Sequence, residues 1–251
     1  MASQKPIIVI VPGAFHKPIH YRKITALLRS QGHEVIPYDL ASCGDTVDPE
    51  VTFIDEAAEI QKKLVPLLDE GREAVIFSHS YGSLPATHAT EGLTAVERAE
   101  RGLKGGIIGV VSLAGFAFPA RGKGIMGDET IVPPTPYQFV ENGITHLKEE
   151  AKELFYNNLS PDEADAEWAN LHKGQTRKSF TLFPQYVESE IKCPKFYILC
   201  TKDVCVPPAF QEHLASVGEY TVTKLDAGHD AFLAAPEDVV AVVSKAASIS
   251  Q

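Results

Sequence analysis

Short apolar runs recur along this chain, and stretches with a helical pattern separate them. The runs are rich in β-branched residues, which is typical of strands buried on both faces of a parallel sheet. They are Ile7–Val11, Glu34–Tyr38, Ala74–Phe77, Ile107–Leu113, Phe196–Cys200 and Tyr220–Leu225. The helical patterns cover Tyr21–Ser30, Phe53–Leu68, a helix that begins near Tyr81, and Glu237–Ala247. Because strands and helices alternate, the sequence predicts a doubly wound α/β fold with a mostly parallel sheet.

One segment interrupts this alternation. Between the fourth and fifth predicted strands lie about eighty residues, too many for a simple connection. The segment begins with a Pro- and Gly-rich stretch and continues with helical patterns around Tyr137–Asn157 and Pro161–Leu171. We therefore expect a helical cap, residues 117–190, inserted into an α/β core formed by residues 1–116 and 191–251.

The charge balance and the hydropathy restrict the partners of the protein. Asp and Glu number 33 against 23 Lys and Arg, a formal net charge of −10, which argues against binding to nucleic acid. No apolar run approaches the roughly 20 residues that span a bilayer, so no membrane partner is expected. The polar N-terminus, MASQKP, does not resemble a signal peptide. These features predict a cytoplasmic protein.

The cysteines support the same interpretation. Cys43, Cys193, Cys200 and Cys205 fall at irregular spacings without a CxxC pair, which is typical of reduced thiols. No pair of His or Cys residues with ligand spacing lies beside another such pair, so neither a zinc site nor any other metal site is expected.

The sequence AVIFSHSYGS, residues 74–83, carries a strand directly into a turn with Ser80 at its centre. A sharp strand-to-helix turn exposes the serine hydroxyl at the edge of the sheet, and the residues two positions before and after it must be small. Ser78 and Gly82 satisfy this requirement, as in a nucleophile elbow. The motif alone is weak, because a serine that caps a helix N-terminus has the same pattern.

A serine nucleophile needs a base and an acid that orients the base. Asp203 follows the strand Phe196–Cys200, and His229 follows the strand Tyr220–Leu225, in the chain order that this fold class uses. Each has another interpretation, since Asp203 could cap the helix near Pro207 and His229 could be an ordinary loop histidine. Three placements at strand ends together favour a catalytic triad.

Two backbone N–H groups are candidates for an oxyanion hole. One belongs to Tyr81, directly after the proposed nucleophile. The other belongs to Ala14 in the sequence VPGAFH, residues 11–16, which follows the first strand. The alternative for this loop is an ordinary glycine turn.

Five segments resemble the α/β-hydrolases, and within them the branch that contains plant methylesterases and hydroxynitrile lyases. They are VPGAFH (11–16), DLASCG (39–44), SHSYGS (78–83), CTKDVCVPPAFQ (200–211) and AGHDAF (227–232), and they span nearly the whole chain. The resemblance implies an α/β-hydrolase fold with a helical cap. It also implies Ser80 as nucleophile, His229 as general base and Asp203 as its partner, with the Ala14 and Tyr81 amides as the oxyanion hole.

The chain departs from that branch at several positions. Pro12 replaces a common histidine, and Ser78 and Ser83 replace glycines. The lyases have a lysine after the catalytic histidine and a threonine near the position of Gly13, and neither is present here, which disfavours cyanohydrin cleavage. Asp230 instead follows His229, where it could tune the histidine or face solvent. Because surface carboxylates are the rule, solvent is the favoured expectation.

Three residues are candidates for contact with substrate. Phe15 and His16 belong to the oxyanion loop, where His16 has a structural role as its alternative. Trp168 lies on the cap with Phe139 and Phe155, and an internal cap core is the alternative for these aromatic residues. His79, inside the elbow, is expected to pack in the core.

Taken together, the residues predict a hydrolase for a small carboxylic ester or lactone that needs no cofactor. Neutral or weakly polar substrates are favoured, because no cluster of cations is evident. The same triad could instead serve a lyase, a C–C bond hydrolase or a cofactor-independent oxygenase, since fold does not determine chemistry. A ligand receptor without turnover is a third hypothesis. The sequence leaves the oligomeric state open, including a homodimer.

Overall fold

The computed structural model describes residues 4–128 and 135–249. Its strands are β1 (Ile7–Val11), β2 (Val35–Pro37), β3 (Glu73–His79), β4 (Gly106–Leu113), β5 (Gln138–Glu141), β6 (Ile144–Leu147), β7 (Gln175–Thr176), β8 (Lys195–Cys200) and β9 (Thr221–Leu225). Its helices are α1 (Arg22–Ser30), α2 (Phe53–Asp69), α3 (Ser83–Thr90), α4 (Ala95–Glu100), α5 (Ala151–Tyr156), α6 (Pro161–Asn170), α7 (Pro208–Val217), α8 (Ala231–Ala234) and α9 (Pro236–Ala247). Four short 3₁₀ helices complete the described part, at Pro18–Tyr21, Ser80–Gly82, Lys178–Phe180 and Glu188–Glu190.

The main sheet has six parallel strands in the order β2-β1-β3-β4-β8-β9. The six apolar runs predicted from the sequence are these six strands, so the predicted α/β architecture is confirmed. Residues alternate between the two faces along β1. Ile8 and Ile10 join the core on one side, and Ile7, Val9 and Val11 join the core on the other. Both faces are therefore covered, which explains the continuous apolar runs.

The helices divide between the two faces of the sheet. Helices α1 and α9 pack together on one side, and α2 packs on α3 on the other. Helix α2 begins at a capping box, in which Thr52 Oγ1 accepts a hydrogen bond from the Ile54 N–H and Asp55 Oδ2 accepts one from the Thr52 N–H. This arrangement satisfies N–H groups that a helix cannot bond internally, and it fixes the start of the helix.

The segment between β4 and β8 is more than a helical insertion. It holds the two helices α5 and α6 and a three-stranded antiparallel sheet, β5-β6-β7. The helical pattern predicted for Pro161–Leu171 is confirmed as α6. The helical pattern around Tyr137–Asn157 was wrong for its first half, which is the β5–β6 hairpin. Asn142 and Gly143 form its turn with φ of 50° and 79°, the conformation that Asn-Gly turns favour.

Some sequence predictions lie outside the described residues. They concern residues 129–134, within the Pro- and Gly-rich start of the cap, and residues 1–3 of the polar N-terminus. Within residues 4–128 and 135–249, no helix combines the length and the apolar character that a membrane crossing requires. All four cysteines are free thiols, and Cys43 and Cys200 are buried.

Candidate functional site

Ser80 lies at the carboxyl end of β3 in a strained turn. Its φ is 49°, in the left-handed region that residues with a side chain rarely adopt. The turn passes close to the backbone of the loop after β1. A Cβ added to Gly82 would lie 2.3 Å from the Pro12 carbonyl oxygen and 2.6 Å from that of Val11. Ser78 is fully buried. This geometry is that of a nucleophile elbow, and the role of Ser80 as nucleophile stays a prediction.

Asp203 is buried, and each of its oxygens accepts two hydrogen bonds. Oδ1 accepts from the Cys205 and Val206 N–H groups, both at 2.8 Å. Oδ2 accepts from Gln211 Nε2 at 2.9 Å and lies 2.8 Å from His229 Nδ1. These four donors hold the carboxylate in one orientation.

Gln211 is a site residue to which the sequence argument assigned no role. Its Nε2 also contacts the Val206 carbonyl at 2.6 Å, and its Oε1 accepts from the Cys200 N–H at 2.9 Å. The side chain is fully buried on α7 and ties the end of β8 to Asp203. Its position in the sequence could have indicated it. Gln211 lies eight residues after Asp203, on the buried face of the next helix.

His229 is buried beside this carboxylate. Burial alone would lower the pKa of its imidazole, but the charge and hydrogen bond of Asp203 and the charge of Asp230 raise that pKa above its ordinary value. The charged form of His229 is thus stabilised, as the conjugate acid of a general base must be.

Ser80 and His229 line one cavity of about 270 Å³, together with Ala14, His16 and Tyr81. Seven of the other lining residues carry a phenylalanine or tyrosine ring: Phe116, Phe118, Tyr137, Phe155, Phe180, Phe183 and Phe210. Among the described residues that line it, Arg177 is the one arginine or lysine, and burial lowers the pKa of its guanidinium. The cavity is a mostly apolar pocket with a few polar groups at one end.

Ala14, in the loop after β1, lines this cavity. The Gly13 N–H donates to Tyr21 Oη at 2.8 Å, the Phe15 N–H to Gln175 Oε1 at 3.2 Å, and the His16 N–H to the Gly13 carbonyl at 3.1 Å. The Ala14 N–H has no acceptor among the described residues. A backbone donor without a partner at the wall of a pocket is available to a ligand.

The other oxyanion candidate is the backbone N–H of Tyr81, in the first turn after Ser80. N–H groups in a first helical turn have no acceptor within their own helix. The Tyr81 side chain points elsewhere, because its hydroxyl donates to Glu56 Oε2 on α2 at 2.7 Å. Burial of Glu56 raises the pKa of that carboxyl.

Asp230 is buried, so the expectation that it faces solvent was wrong. It is 3% exposed, and its Oδ2 lies 2.8 Å from His16 Nε2. Burial alone would raise the pKa of Asp230, but His16, His79 and His229 lower it to about 2. Its partner in the interior is His16, which lies 214 residues away along the chain in the loop after β1.

His79 is fully buried between the two loops, as its expected packing role requires. Tyr21 Oη lies 2.9 Å from His79 Nδ1, and Asp230 Oδ1 lies 3.6 Å from His79 Nε2. Burial and the neighbouring His229 lower the pKa of His79 well below its ordinary value. Among the described residues, His79, His229 and Asp230 are the one group whose candidate metal-ligand atoms all lie within 4.8 Å. Each already has a side-chain partner in this network.

Of the three candidate substrate contacts, the structure brings only His16 to the cavity. Phe15 is fully buried beneath it and packs on Phe180, with ring centroids 6.2 Å apart. Trp168 lies at a separate depression on the cap, beside Leu147 and His172. Of the other two cap aromatics, Phe155 lines the cavity, whereas Phe139 is 44% exposed on β5 and lies outside it.

A family model matches residues 8–242 of this chain, and it describes the alpha/beta hydrolase family. The chain belongs to this family. One relative of this α/β hydrolase is the alpha/beta hydrolase nvfD of Aspergillus novofumigatus, 26% identical over 250 residues that cover 97% of each chain. Another is the probable hydrolase R7 of a Phoma species, 30% identical over 258 residues, which cover 98% of this chain and 99% of the relative.

Solved structures of plant esterases share the fold of this α/β hydrolase. Polyneuridine aldehyde esterase matches with a TM-score of 0.77 at 19% identity, over 96% of this chain and 99% of its own. The methylesterase MES16 from Arabidopsis matches with a TM-score of 0.71 at 22% identity, over 97% and 99%. These likenesses agree with the resemblance to plant methylesterases that the sequence motifs carry.

Proposed function

We propose that this α/β hydrolase cleaves a small carboxylic ester or lactone through a triad of Ser80, His229 and Asp203. The observation that carries the proposal is the buried 2.8 Å contact between His229 Nδ1 and Asp203 Oδ2, beside a strained serine on the same cavity. Asp203 fixes the ring through Nδ1 and leaves Nε2 as the nitrogen for proton transfer. A base held in this way is what a serine nucleophile requires.

In the first step, Ser80 Oγ attacks the carbonyl carbon of the ester while its proton passes to His229 Nε2. Asp203 stabilises the imidazolium that results, which agrees with the raised pKa of His229. The tetrahedral intermediate then collapses, and His229 returns the proton to the departing alkoxide. The alcohol leaves, and an acyl group remains on Ser80.

The backbone N–H groups of Ala14 and Tyr81 would stabilise the negative charge on the carbonyl oxygen. The absence of an acceptor for the Ala14 N–H among the described residues supports this role. Such donors act without reorganisation because the fold holds them in place, and losing one costs roughly 3 kcal/mol of transition-state stabilisation. Water, activated by His229, then attacks the acyl group by the same route and releases the acid.

The cavity supports a compact, largely apolar substrate. At about 270 Å³ with a mostly apolar wall that includes several phenylalanine rings, it suits an ester with an apolar or aromatic acyl or alcohol group. The structural relatives named as esterases make ester cleavage the first reaction to test.

The test compares wild-type protein with Ser80→Ala on a panel of short p-nitrophenyl esters and aryl lactones. We expect turnover by the wild type and a fall of at least about 10⁴-fold in kcat for Ser80→Ala, because the nucleophile is gone. Ser216→Ala, an exposed serine on α7, is the matched control and should retain full activity. Thermal unfolding and circular dichroism of both variants verify the fold. Turnover that survives Ser80→Ala would contradict the proposal.

A further inference from the structure

A chain of contacts joins the loop after β1 to the residue that follows His229. On one side, Asp230 Oδ2 lies 2.8 Å from His16 Nε2, and His16 Nδ1 lies 2.8 Å from the Ala14 carbonyl oxygen. On the other side, Asp230 Oδ1 lies 3.6 Å from His79 Nε2. His79 Nδ1 then contacts Tyr21 Oη at 2.9 Å, and that oxygen accepts from the Gly13 N–H at 2.8 Å.

The partners determine where the protons of His16 lie. Both ring nitrogens face oxygens that can only accept, a backbone carbonyl and a carboxylate, so both nitrogens donate. Two simultaneous donors require a doubly protonated ring, so these contacts favour an ion pair between His16 and Asp230, whose side chains are each 1% exposed.

The protons of His79 follow in the same way. Tyr21 Oη already accepts from the Gly13 N–H, so its own proton points to His79 Nδ1. The proton of a neutral His79 then lies on Nε2 and faces Asp230 Oδ1 at 3.6 Å, beyond hydrogen-bond distance, so this link is electrostatic.

Gly13 must stay without a side chain here, because a Cβ would lie 2.5 Å from His79 Nδ1.

We propose that Asp230 is a positioning residue for the oxyanion hole, acting through His16 on one side of Ala14 and through His79 and Tyr21 on the other. This inference rests on the proposed function. This network of contacts ends at the Gly13 N–H and at the Ala14 carbonyl oxygen. The Ala14 N–H lies between these two groups along the backbone. Asp230 also follows the proposed base directly, so one short segment, His229-Asp230, holds both the base and the loop that would bind the oxyanion.

The expected consequence is a loss of transition-state binding rather than of substrate binding. Asp230→Asn replaces the carboxylate that faces His16 Nε2 with a neutral amide, so the contact that holds His16 and its loop is weakened. A displacement of about 1 Å at a catalytic group lowers the rate by as much as about 10²-fold. Substrate affinity depends on the aromatic wall, which Asp230 does not form.

The first experiment compares Asp230→Asn with the wild type in ester hydrolysis and in inhibition by an aryl trifluoromethyl ketone. Ser80 Oγ adds to the ketone carbon as its proton passes to His229, which leaves an oxyanion in the hole. We expect kcat to fall about 10- to 100-fold with KM within about 2-fold, and the affinity for the ketone to fall in proportion to kcat/KM. Asp226→Asn, an exposed residue in the same loop, is the control and should match the wild type.

A double-mutant cycle with His16→Gln tests whether Asp230 acts through His16. Because both belong to one network, the double variant should lose little more activity than the worse single variant. The inference would be overturned if the rate losses of the two single variants multiplied in the double variant. It would also be overturned if Asp230→Asn raised KM at unchanged kcat or had wild-type kinetics. Should Asp230→Asn fail to fold, Tyr21→Phe removes a single hydroxyl from the other side and should lower kcat by about 3- to 10-fold with KM unchanged; an unchanged kcat would overturn the inference too.

Proton NMR of the imidazole N–H groups separates this inference from the proposed function. Wild-type protein should give two N–H signals from His16, and Asp230→Asn should lose at least one, whether or not any ester is hydrolysed. If the wild-type protein gives both His16 signals but hydrolyses none of the esters, the proposed function is rejected, and the positioning role with it. The contact between His16 and Asp230 would still stand. An active wild type that lacks the second signal would reject the inference alone.

Discussion

Two buried carboxylates follow neighbouring strands at this site, and they are held in opposite ways. Asp203 receives four hydrogen bonds from groups no more than 26 residues away. Asp230 has one close partner, His16, which is 214 residues away, and its Oδ1 has no hydrogen-bond partner among the described residues. The first carboxylate is set by its own loop and helix, and the second by the tertiary fold.

The difference teaches how each carboxylate could contribute to function. Asp203 can hold His229 once the neighbouring strands β8 and β9 and the loops after them are in place. Asp230 can hold the loop after β1 only when that loop meets the loop after β9. Its contact with His16 therefore depends on the complete sheet. Another buried carboxylate, Glu188, accepts from the Thr87 hydroxyl and the Phe118 N–H, and burial raises its pKa to about 7.

The largest expected effect is that of Asp203→Asn. The neutral amide can no longer stabilise the His229 imidazolium, and its NH₂ group can force the wrong tautomer on the ring. If the proposed triad operates, we expect kcat to fall about 10⁴-fold, as for the same substitution in a known Ser-His-Asp triad, which is at least 100-fold more than for Asp230→Asn. Steady-state kinetics on one ester measure both variants. Equal losses in the two would remove the distinction drawn between these carboxylates.

A smaller effect is expected for Gln211→Ala, which removes one of the local supports of Asp203. The Cys200 N–H and one oxygen of Asp203 lose a partner, so the free energy of unfolding should fall by about 1–3 kcal/mol. We expect kcat to fall about 10-fold, because three donors still hold the carboxylate. Denaturant titration and kinetics measure the two effects, with Glu212→Ala on the same helix as control. A variant with wild-type kcat would show that Gln211 supports only stability.

The smallest effect on activity concerns Glu188, where pH should change stability instead. Its pKa is about 7 in the folded protein against 4.5 when exposed, so the folded state holds a proton that the unfolded state releases. The contribution of Glu188 to stability is fully present below pH 4.5, falls as the pH rises to about 7, and is flat above; the loss is roughly 3 kcal/mol. Denaturant titrations at several pH values should find this slope in the difference between wild type and Glu188→Gln, because the buried histidines titrate in both proteins. A difference that stays constant from pH 4.5 to 7 would contradict the raised pKa of Glu188.

The sheet and the three proposed triad residues could be predicted because their signals are local. Continuous apolar runs define buried parallel strands, and the carboxyl ends of such strands meet at one edge. Ser80, Asp203 and His229 each follow a strand directly, so chain position alone brought them to that edge. Gly82 likewise follows from the tight turn, without knowledge of the Pro12 carbonyl that it faces.

The remainder depended on distances that a sequence does not contain. Nothing in the sequence near Asp230 indicates a contact with His16 from the loop after β1, so solvent was the reasonable expectation. Helix α6 has few apolar residues and no clear apolar face, so the direction of Trp168 could not be assigned. The β5–β6 hairpin is different, since Asn142-Gly143 was a readable turn signal that the helical pattern overrode.

The most direct test of the proposed triad is the intact mass of the protein after reaction with a fluorophosphonate. The serine oxygen displaces fluoride, so the account predicts one adduct per chain, carried by the peptide that contains Ser80. It also predicts at least about 10³-fold slower labelling of His229→Ala, because the base is gone. A wild-type protein that stays unlabelled, or that carries the adduct on another residue, would contradict Ser80 as the nucleophile.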